Sequence, residues 1–314
     1  MDDLPTGLHQ RTLLLATGYT DRQLRGLRER GEISSIRRGT YLAGPPPDHA
    51  VDRHRLEARA TMEHVDSAAV LSHASAAVWH RLPVWRVPLR RVQIVKARDS
   101  GGRRHATVHL YTAPLRPDEI AVVDGLPVTA VARTVVDLAR VAPFESGVVT
   151  ADAALALGVV DEEELRRAAA RCAGWPGAPR ARQVVAFADR RSESVGESRS
   201  RVAMAWAGLP APIPQWPVHD AYGELIARVD FWWPDSRTVG EFDGRTKYGG
   251  TLRPGQNPGD AVFAEKRRED SLRAENLTVV RWTWHDIPAF TTLVRRALRR
   301  PPWPVHRFPT SYTG

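Results

Sequence analysis

Arg228-Val-Asp230-Phe-Trp-Trp-Pro-Asp-Ser-Arg-Thr-Val-Gly-Glu241-Phe-Asp243-Gly-Arg-Thr-Lys247 is the most informative stretch of this 314-residue chain. It reads as two short strands joined by a turn at Pro234-Asp-Ser. Strand side chains alternate faces, so Glu241 and Asp243 share one face of the second strand. Asp230, late in the first strand, is brought back toward them by the turn. On the first strand, Leu225, Ala227, Val229 and Phe231 form an apolar face, with Arg228 and Asp230 opposite. Carboxylates crowded together repel one another unless a cation or a proton neutralises them. A hard divalent ion such as Mg2+ suits oxygen ligands, and it can activate water and stabilise a transferring phosphoryl group. Ion pairing of Arg228 with one of the acids is the competing explanation for the cluster.

Lysine usage adds to this. Of 45 Lys+Arg only Lys96, Lys247 and Lys266 are lysines. Two of the three follow the acidic cluster, where a compact ammonium differs in chemistry from a guanidinium fork.

The segment Ser192-Glu-Ser-Val-Gly-Glu197-Ser-Arg-Ser-Arg, then Gly208-Leu-Pro-Ala-Pro and Gln215, the two strands, Glu265-Lys-Arg-Arg-Glu-Asp270-Ser-Leu272 and the strand Leu277–Trp282 together resemble the PD-(D/E)XK nuclease superfamily. More narrowly they resemble the domains related to very-short-patch-repair endonucleases. The resemblance covers the last third of the chain. It implies a restriction-endonuclease-like α/β fold and a Mg2+-dependent phosphodiesterase, with metal ligands Asp230, Glu241, Asp243 and Glu197. Lys247 would steady the attacking hydroxide. The superfamily pattern has Glu-X-Lys on the second strand, and this chain has Glu241-Phe-Asp243, with Lys247 four residues later.

The N-terminal segment reads as a helix-turn-helix with a wing. Thr20-Asp21 suits a helix N-terminus, and Gly31 suits a helix end. Leu24 and Leu27 face a core, while Arg22, Arg25 and Arg28 face out. A hairpin follows, with Arg37-Arg38-Gly39 at its tip. Between Arg22 and Arg38 six Arg oppose Glu29 and Glu32. A recognition helix and a basic wing are placed to meet DNA bases and phosphates; a solvated arginine face is the bland alternative. Gly18-Tyr-Thr-Asp-Arg-Gln-Leu-Arg with Ile36-Arg-Arg-Gly39-Thr-Tyr41 resembles the winged helix of AbiEi-type antitoxins of type IV toxin–antitoxin systems. That implies an operator-binding repressor with a cognate toxin as a further partner. Val131-Ala-Arg133-Thr134-Val-Val-Asp137-Leu resembles the middle domain of the same family.

The expected organisation is multidomain α+β. Residues 1–44 are a winged helix-turn-helix, 50–189 a mixed α/β middle domain, 190–300 the nuclease-like domain and 301–314 a tail, with Gly44-Pro-Pro-Pro-Asp48 as a stiff linker. In the middle domain Arg91–Lys96 and Thr107–Tyr111 read as paired strands. Asp124-Gly125 marks a hairpin, and helices follow from Val131. His73, His80, His105 and His109 lack acidic or cysteine neighbours at ligand spacing and read as packing or surface residues. Asp137 and Asp152, on helices with apolar neighbours, read as ion-pair partners of Arg133 or another arginine. Lys266, Arg267 and Arg268 form a basic run, either solvated or in contact with phosphate.

Net charge is +9 and the pI is about 10.3, which favours an anionic partner, nucleic acid first. The lone Cys172 excludes an internal disulfide and a cysteine-based zinc site. The N-terminus lacks the basic and apolar regions of a signal peptide, and no apolar run is long enough to span a bilayer. A cytoplasmic, non-membrane DNA-associated protein is the expectation.

Overall fold

The computed structural model describes residues 7–97, 101–220, 222–244, 267–268 and 270–299. The chain divides into two compact units, one ending at Ala188 and the other beginning at Asp189.

The first unit opens with β1 (Leu8–Gln10), α1 (Arg11–Ala16), α2 (Asp21–Glu29), β2 (Ile33–Arg37) and β3 (Thr40–Ala43). The three strands form an antiparallel sheet in the order β1-β3-β2. The start of α2 is fixed by its own sequence. Thr20 accepts a hydrogen bond from the Gln23 backbone, and the Gln23 side chain accepts from the Thr20 N–H, a reciprocal capping box. Leu24 and Leu27, three apart, fall on one face and pack with Leu14 and Ile33. Gly31, at φ +74°, ends the helix. The strand β1 carries no sequence signal of its own; it is completed by pairing with β3.

The same unit continues with α3 (Ala50–Met62), β4 (Val70–Leu71), α4 (His73–Trp79), β5 (Val92–Lys96), β6 (Arg103–Arg104), β7 (Val108–Thr112), β8 (Ile120–Val123) and β9 (Leu126–Thr129). The helices α5 (Val131–Val141), α6 (Phe144–Ala156), α7 (Glu162–Arg171) and α8 (Ala178–Phe187) complete it. The mixed sheet has the order β6-β7-β5-β4-β9-β8. The expected pair β5 and β7 is parallel, with Val92 opposite Val108, and β6 pairs antiparallel on the outer side of β7. Asp124 and Gly125, at φ +49° and +77°, make the tight turn between β8 and β9. A core of Ala58, Leu71, Ala76, Trp79, Ile94 and Val128 joins the sheet to α3 and α4. Residues 45–49 lie within the first unit, in which Arg37 on β2 donates to the Ala60 carbonyl on α3 at 3.2 Å.

The second unit comprises α9 (Val195–Trp206), β10 (Ile213–His219), β11 (Leu225–Trp233), β12 (Thr238–Asp243), β13 (Thr278–Thr283) and α10 (Phe290–Leu298), with residues 270–274 also helical. Its sheet runs β10-β11-β12-β13, the first two pairings antiparallel and the last parallel. The strand β10 is not signalled by the sequence. Pro214 and Pro217 mask it, and both are tolerated because β10 is an edge strand. A single 3-10 turn, Pro234–Ser236, joins β11 to β12, with Arg237 at φ +46°. Phe231, Trp233, Trp282, Phe290 and Met204 build one core cluster, and Val229, Val239, Leu272 and Leu277 another. Leu225, expected on the apolar face, is 62 % exposed because it begins the strand beyond that core. The last helix begins at Phe290. Residues 286–289 before it form turns fixed by Asp286, whose carboxylate accepts from the Thr283 N–H and hydroxyl.

Candidate functional site

Asp230, Glu241 and Asp243 line one cavity of about 200 Å³ together with Arg228, Phe242, Arg268 and Arg281. The β11–β12 ladder pairs Phe231 with Gly240 and Trp232 with Val239, so the next position outward sets Asp230 beside Glu241. There the Asp230 carboxylate takes over from the backbone and accepts from the Phe242 N–H at 2.8 Å. On the other side, the β10 register passes from Pro214↔Phe231 to Trp216↔Val229, which sets Gln215, at φ +52°, toward Asp230.

Glu197 occupies the first turn of α9, capped by Ser194. It is buried, and its oxygens are engaged. The Ser194 hydroxyl donates at 2.7 Å, the Glu193 N–H at 3.0 Å and the Gln215 amide at 2.8 Å. Gln215 also hydrogen-bonds Asp230, so one amide ties the two acids together. Gly196 allows this close approach of α9 to β12: a Cβ there would stand 1.8 Å from the Phe242 ring.

Burial raises the Asp230 carboxyl to about 6, with Glu197 and Glu241 adding repulsion and the hydrogen bonds from Phe242 and Gln215 opposing it. Glu241 is compensated differently. It is 7 % exposed and meets two guanidiniums, with Arg281 Nε donating to Oε2 at 2.8 Å and Arg268 Nη2 to the same oxygen at 3.0 Å. Arg268 also lies 2.9 Å from Oε1. That contact is out of line for a hydrogen bond, so Oε1 is a buried oxygen without a hydrogen-bond partner.

The sequence expectations fare unevenly at this site. Arg228 lines the cavity but pairs with Glu193 at 2.7 Å, not with one of the three acids. The arginines that neutralise the cluster are instead Arg268 and Arg281. The first of these belongs to the run expected to be solvated or phosphate-facing. Only the parallel β12–β13 register, which places Arg281 opposite Glu241, reveals the second. Asp243 lines the cavity but is exposed at the end of β12. Lys247 and Lys266 lie outside the described residues. Arg267 is exposed. Among the described residues no group of three or more His, Cys, Asp or Glu side chains is arranged to hold a metal ion. The donor chemistry still suits a hard cation, because three carboxylates line the cavity and one of their buried oxygens has no hydrogen-bond partner among the described residues. Any ion reaching Glu241 must displace a guanidinium.

On the first unit, Arg22, Arg25 and Arg28 are exposed along α2, and Arg38 is exposed at the hairpin tip. Arg37 departs from expectation. It is half-buried, and burial lowers its pKa as it folds back on α3. The expected Arg133–Asp137 pair is buried at 2.7 Å, and Arg133 also meets Glu119 at 3.0 Å.

No family model matches the chain. It is 38% identical over 145 residues to the uncharacterised proteins MT2308 and Rv2248 of Mycobacterium tuberculosis, a match covering 46% of this chain and 53% of each of theirs. The chain thus spans about half the length of the curated relatives it matches. It is also similar to the crystal structure of the Rv2827c protein of Mycobacterium tuberculosis, with TM-score 0.40 and 18% identity over 70% of this chain and 86% of that one. Among the described residues no helix is long and apolar enough to cross a membrane.

Proposed function

We propose that the chain is a cytoplasmic DNA-binding protein whose second unit is a Mg2+-dependent phosphodiesterase of the PD-(D/E)XK kind, acting as an endonuclease. The observation that carries this reading is the cavity shared by Asp230, Glu241 and Asp243, in which Oε1 of the buried Glu241 faces the Arg268 guanidinium and has no hydrogen-bond partner among the described residues. In this reading Asp230 and Glu241 hold the ion, with Asp243 as a further ligand. Glu197, through Gln215, keeps the Asp230 carboxylate oriented. Arg268 and Arg281, which engage Glu241, would lend positive charge to a phosphate bound beside it. Lys247 would face the attacking hydroxide. The ion itself supplies an activated water and neutralises charge in the transition state. On the first unit, α2 is the recognition helix of a winged helix-turn-helix, with Arg22, Arg25 and Arg28 toward DNA and Arg37 and Arg38 at the wing. On the second unit, Lys266 and Arg267 lie toward the DNA backbone.

Full-length protein with Mg2+ or Mn2+ should nick DNA, and Asp230→Asn should abolish nicking. Wild type and variant equally inert on single-stranded, double-stranded and mismatched substrates would sink the enzyme reading.

The double guanidinium clamp on Glu241 favours a second reading, a non-catalytic repressor or type IV antitoxin with a degenerate nuclease fold and a cognate toxin as partner. It calls for gel shifts that survive EDTA and weaken on Arg25→Gln, with no cleavage under any metal.

A further inference from the structure

A second cavity, of about 710 Å³, opens on the first unit. Arg90, Arg91, Gln93, Arg104, His109 and Tyr111 are among its lining residues, and no carboxylate is. Strand order explains the grouping. Arg104 on β6 is the ladder partner of His109 on β7, and His109 is the partner of Gln93 on β5. Directly paired residues project to the same face, so the three stand in one row across the sheet. Tyr111, two residues beyond His109, joins the same face.

The polar groups here are arranged without internal compensation. Among the described residues none of Arg90, Arg91 and Arg104 forms an ion pair with a carboxylate. Arg91 donates to the His105 carbonyl at 2.9 Å, and Arg104 to His109 Nε2 at 3.3 Å. Burial, then Arg104 and Arg91, push the His109 imidazole down to about 4, so it accepts as a neutral ring. Tyr111 stacks on His73 at 3.7 Å and lies against His109 at 3.9 Å with its ring tilted by 31°, an aromatic run that leads inward. It ends at an adjoining cavity of about 210 Å³, lined in part by Tyr111, His73, Arg133 and Arg140. His73 is 2 % exposed and held at φ +50°, and among the described residues its Nε2 has no hydrogen-bond partner; neither has Nη2 of the equally buried Arg133. Buried polar atoms left without partners are costly, and strained non-glycine backbone persists where the surroundings enforce it.

Three guanidiniums with no carboxylate partner among the described residues, an aromatic run beside them and two buried nitrogens without hydrogen-bond partners at its inner end together describe a receptor for an anion with a planar part. Guanidinium forks match phosphate oxygens two at a time, and aromatic side chains offer faces to bases. A volume of several hundred cubic ångströms is that of small-molecule sites. We propose that this cleft binds a nucleotide: phosphates on Arg90, Arg91 and Arg104, and the base beside the His109–Tyr111 run. The nucleotide is either free or a residue of a single strand.

The test uses the full-length chain, with the imidazole nitrogen resonances of His109 and His73 followed by NMR. The probes are adenosine diphosphate, a short single-stranded oligothymidine, inorganic phosphate and a glutamate-rich peptide. Expected is a saturable shift of the His109 signals with the diphosphate or the oligonucleotide, weakened tenfold or more by added salt and by the double variant Arg90→Gln/Arg104→Gln. Both arginines are exposed, so the variant should melt with the wild type. A free-nucleotide site responds to the diphosphate; a strand site responds to the oligonucleotide alone. The proposal is overturned if neither nucleotide probe moves His109, if only the peptide or inorganic phosphate does, or if the well-folded double variant binds as tightly as wild type.

Discussion

Arg281 lies directly across the parallel β12–β13 ladder from Glu241 and donates to its carboxylate at 2.8 Å. A one-residue shift of that register would carry Arg281 to the other face of the sheet. The pair therefore reports the registry of the sheet as well as the charge state of the cavity. Glu241 is almost fully buried, and Arg281 is about one-third exposed. Arg281→Gln should therefore destabilise the protein by about 1–2 kcal/mol, below the usual cost of breaking a fully buried pair because Arg268 remains. Urea unfolding measures this. Calorimetry with Mn2+ should also show tighter binding to the variant, since one competing cation is gone. An unchanged midpoint and unchanged Mn2+ affinity would mean the clamp has no energetic role.

Asp230 gives a pH dependence with a definite sign. Its folded pKa, about 6, lies above the ordinary value of 3.8, so the folded state keeps the proton longer. Ionising it in place costs at most about 3 kcal/mol, from the size of the shift. That cost is absent below about pH 4, grows as the pH rises, and is complete above about 6. Asp230→Asn should accordingly match wild type at pH 4 and exceed its stability at pH 7.5. Denaturant midpoints at several pH values decide it; parallel profiles for the two proteins would refute the assignment.

The buried triad of Glu119, Arg133 and Asp137 has the first unit's stability at stake. Arg133 and Asp137 are each at most 2 % exposed, and Arg140 adds a third contact at 2.8 Å. Asp137→Ala leaves Arg133 without a principal counter-charge in a dry site and should cost about 3–5 kcal/mol. Arg133→Met removes the charge along with the side chain and should do damage mainly through Glu119 and Asp137. Thermal unfolding of both variants, and of the double replacement Arg133→Met/Asp137→Leu, tests this. The double variant should recover part of the loss.

The exposed arginines of α2 predict a salt signature. Each that touches a phosphate contributes about 0.9 to the slope of log affinity against log salt. Replacing Arg22, Arg25 or Arg28 by Gln should flatten that slope by roughly one unit for each phosphate no longer neutralised. Fluorescence anisotropy on duplex DNA across a salt series measures it, and slopes identical to wild type would remove α2 from the interface. Arg37→Gln should leave the slope unchanged, because that side chain is engaged with α3.

Much of the local structure is legible in the sequence. The α2 boundaries follow from Thr20, Gln23 and Gly31, and the β8–β9 turn from Asp124-Gly125. The flanks of Pro234–Ser236 read correctly as strands, because short-range rules govern caps and tight turns. The acids of the candidate site can be named because two of them alternate on one strand and a third precedes the turn. Their compensation cannot. Arg228, the nearest arginine in sequence to Asp230, goes to Glu193, whereas Arg268 and Arg281 come from far along the chain. The strand β10 is hidden by its prolines, and β1 and β4 are short pieces that depend on their partners. The parallel pairing of β5 with β7 leaves no mark in a period-two pattern that is the same for either direction.

The sequence by itself determined where the helices cap, where the hairpins turn, which side chains share a strand face, and that the chain is rich in positive charge. All of these depend on residues within a turn or two of one another. Tertiary structure decided which cation meets which anion, that Arg37 turns inward while Arg38 stays out, and that Arg104, His109 and Gln93 form a row. Coulombic and hydrogen-bonded partners are chosen by distance in space, and that distance is set only when strands from remote parts of the chain settle into one register.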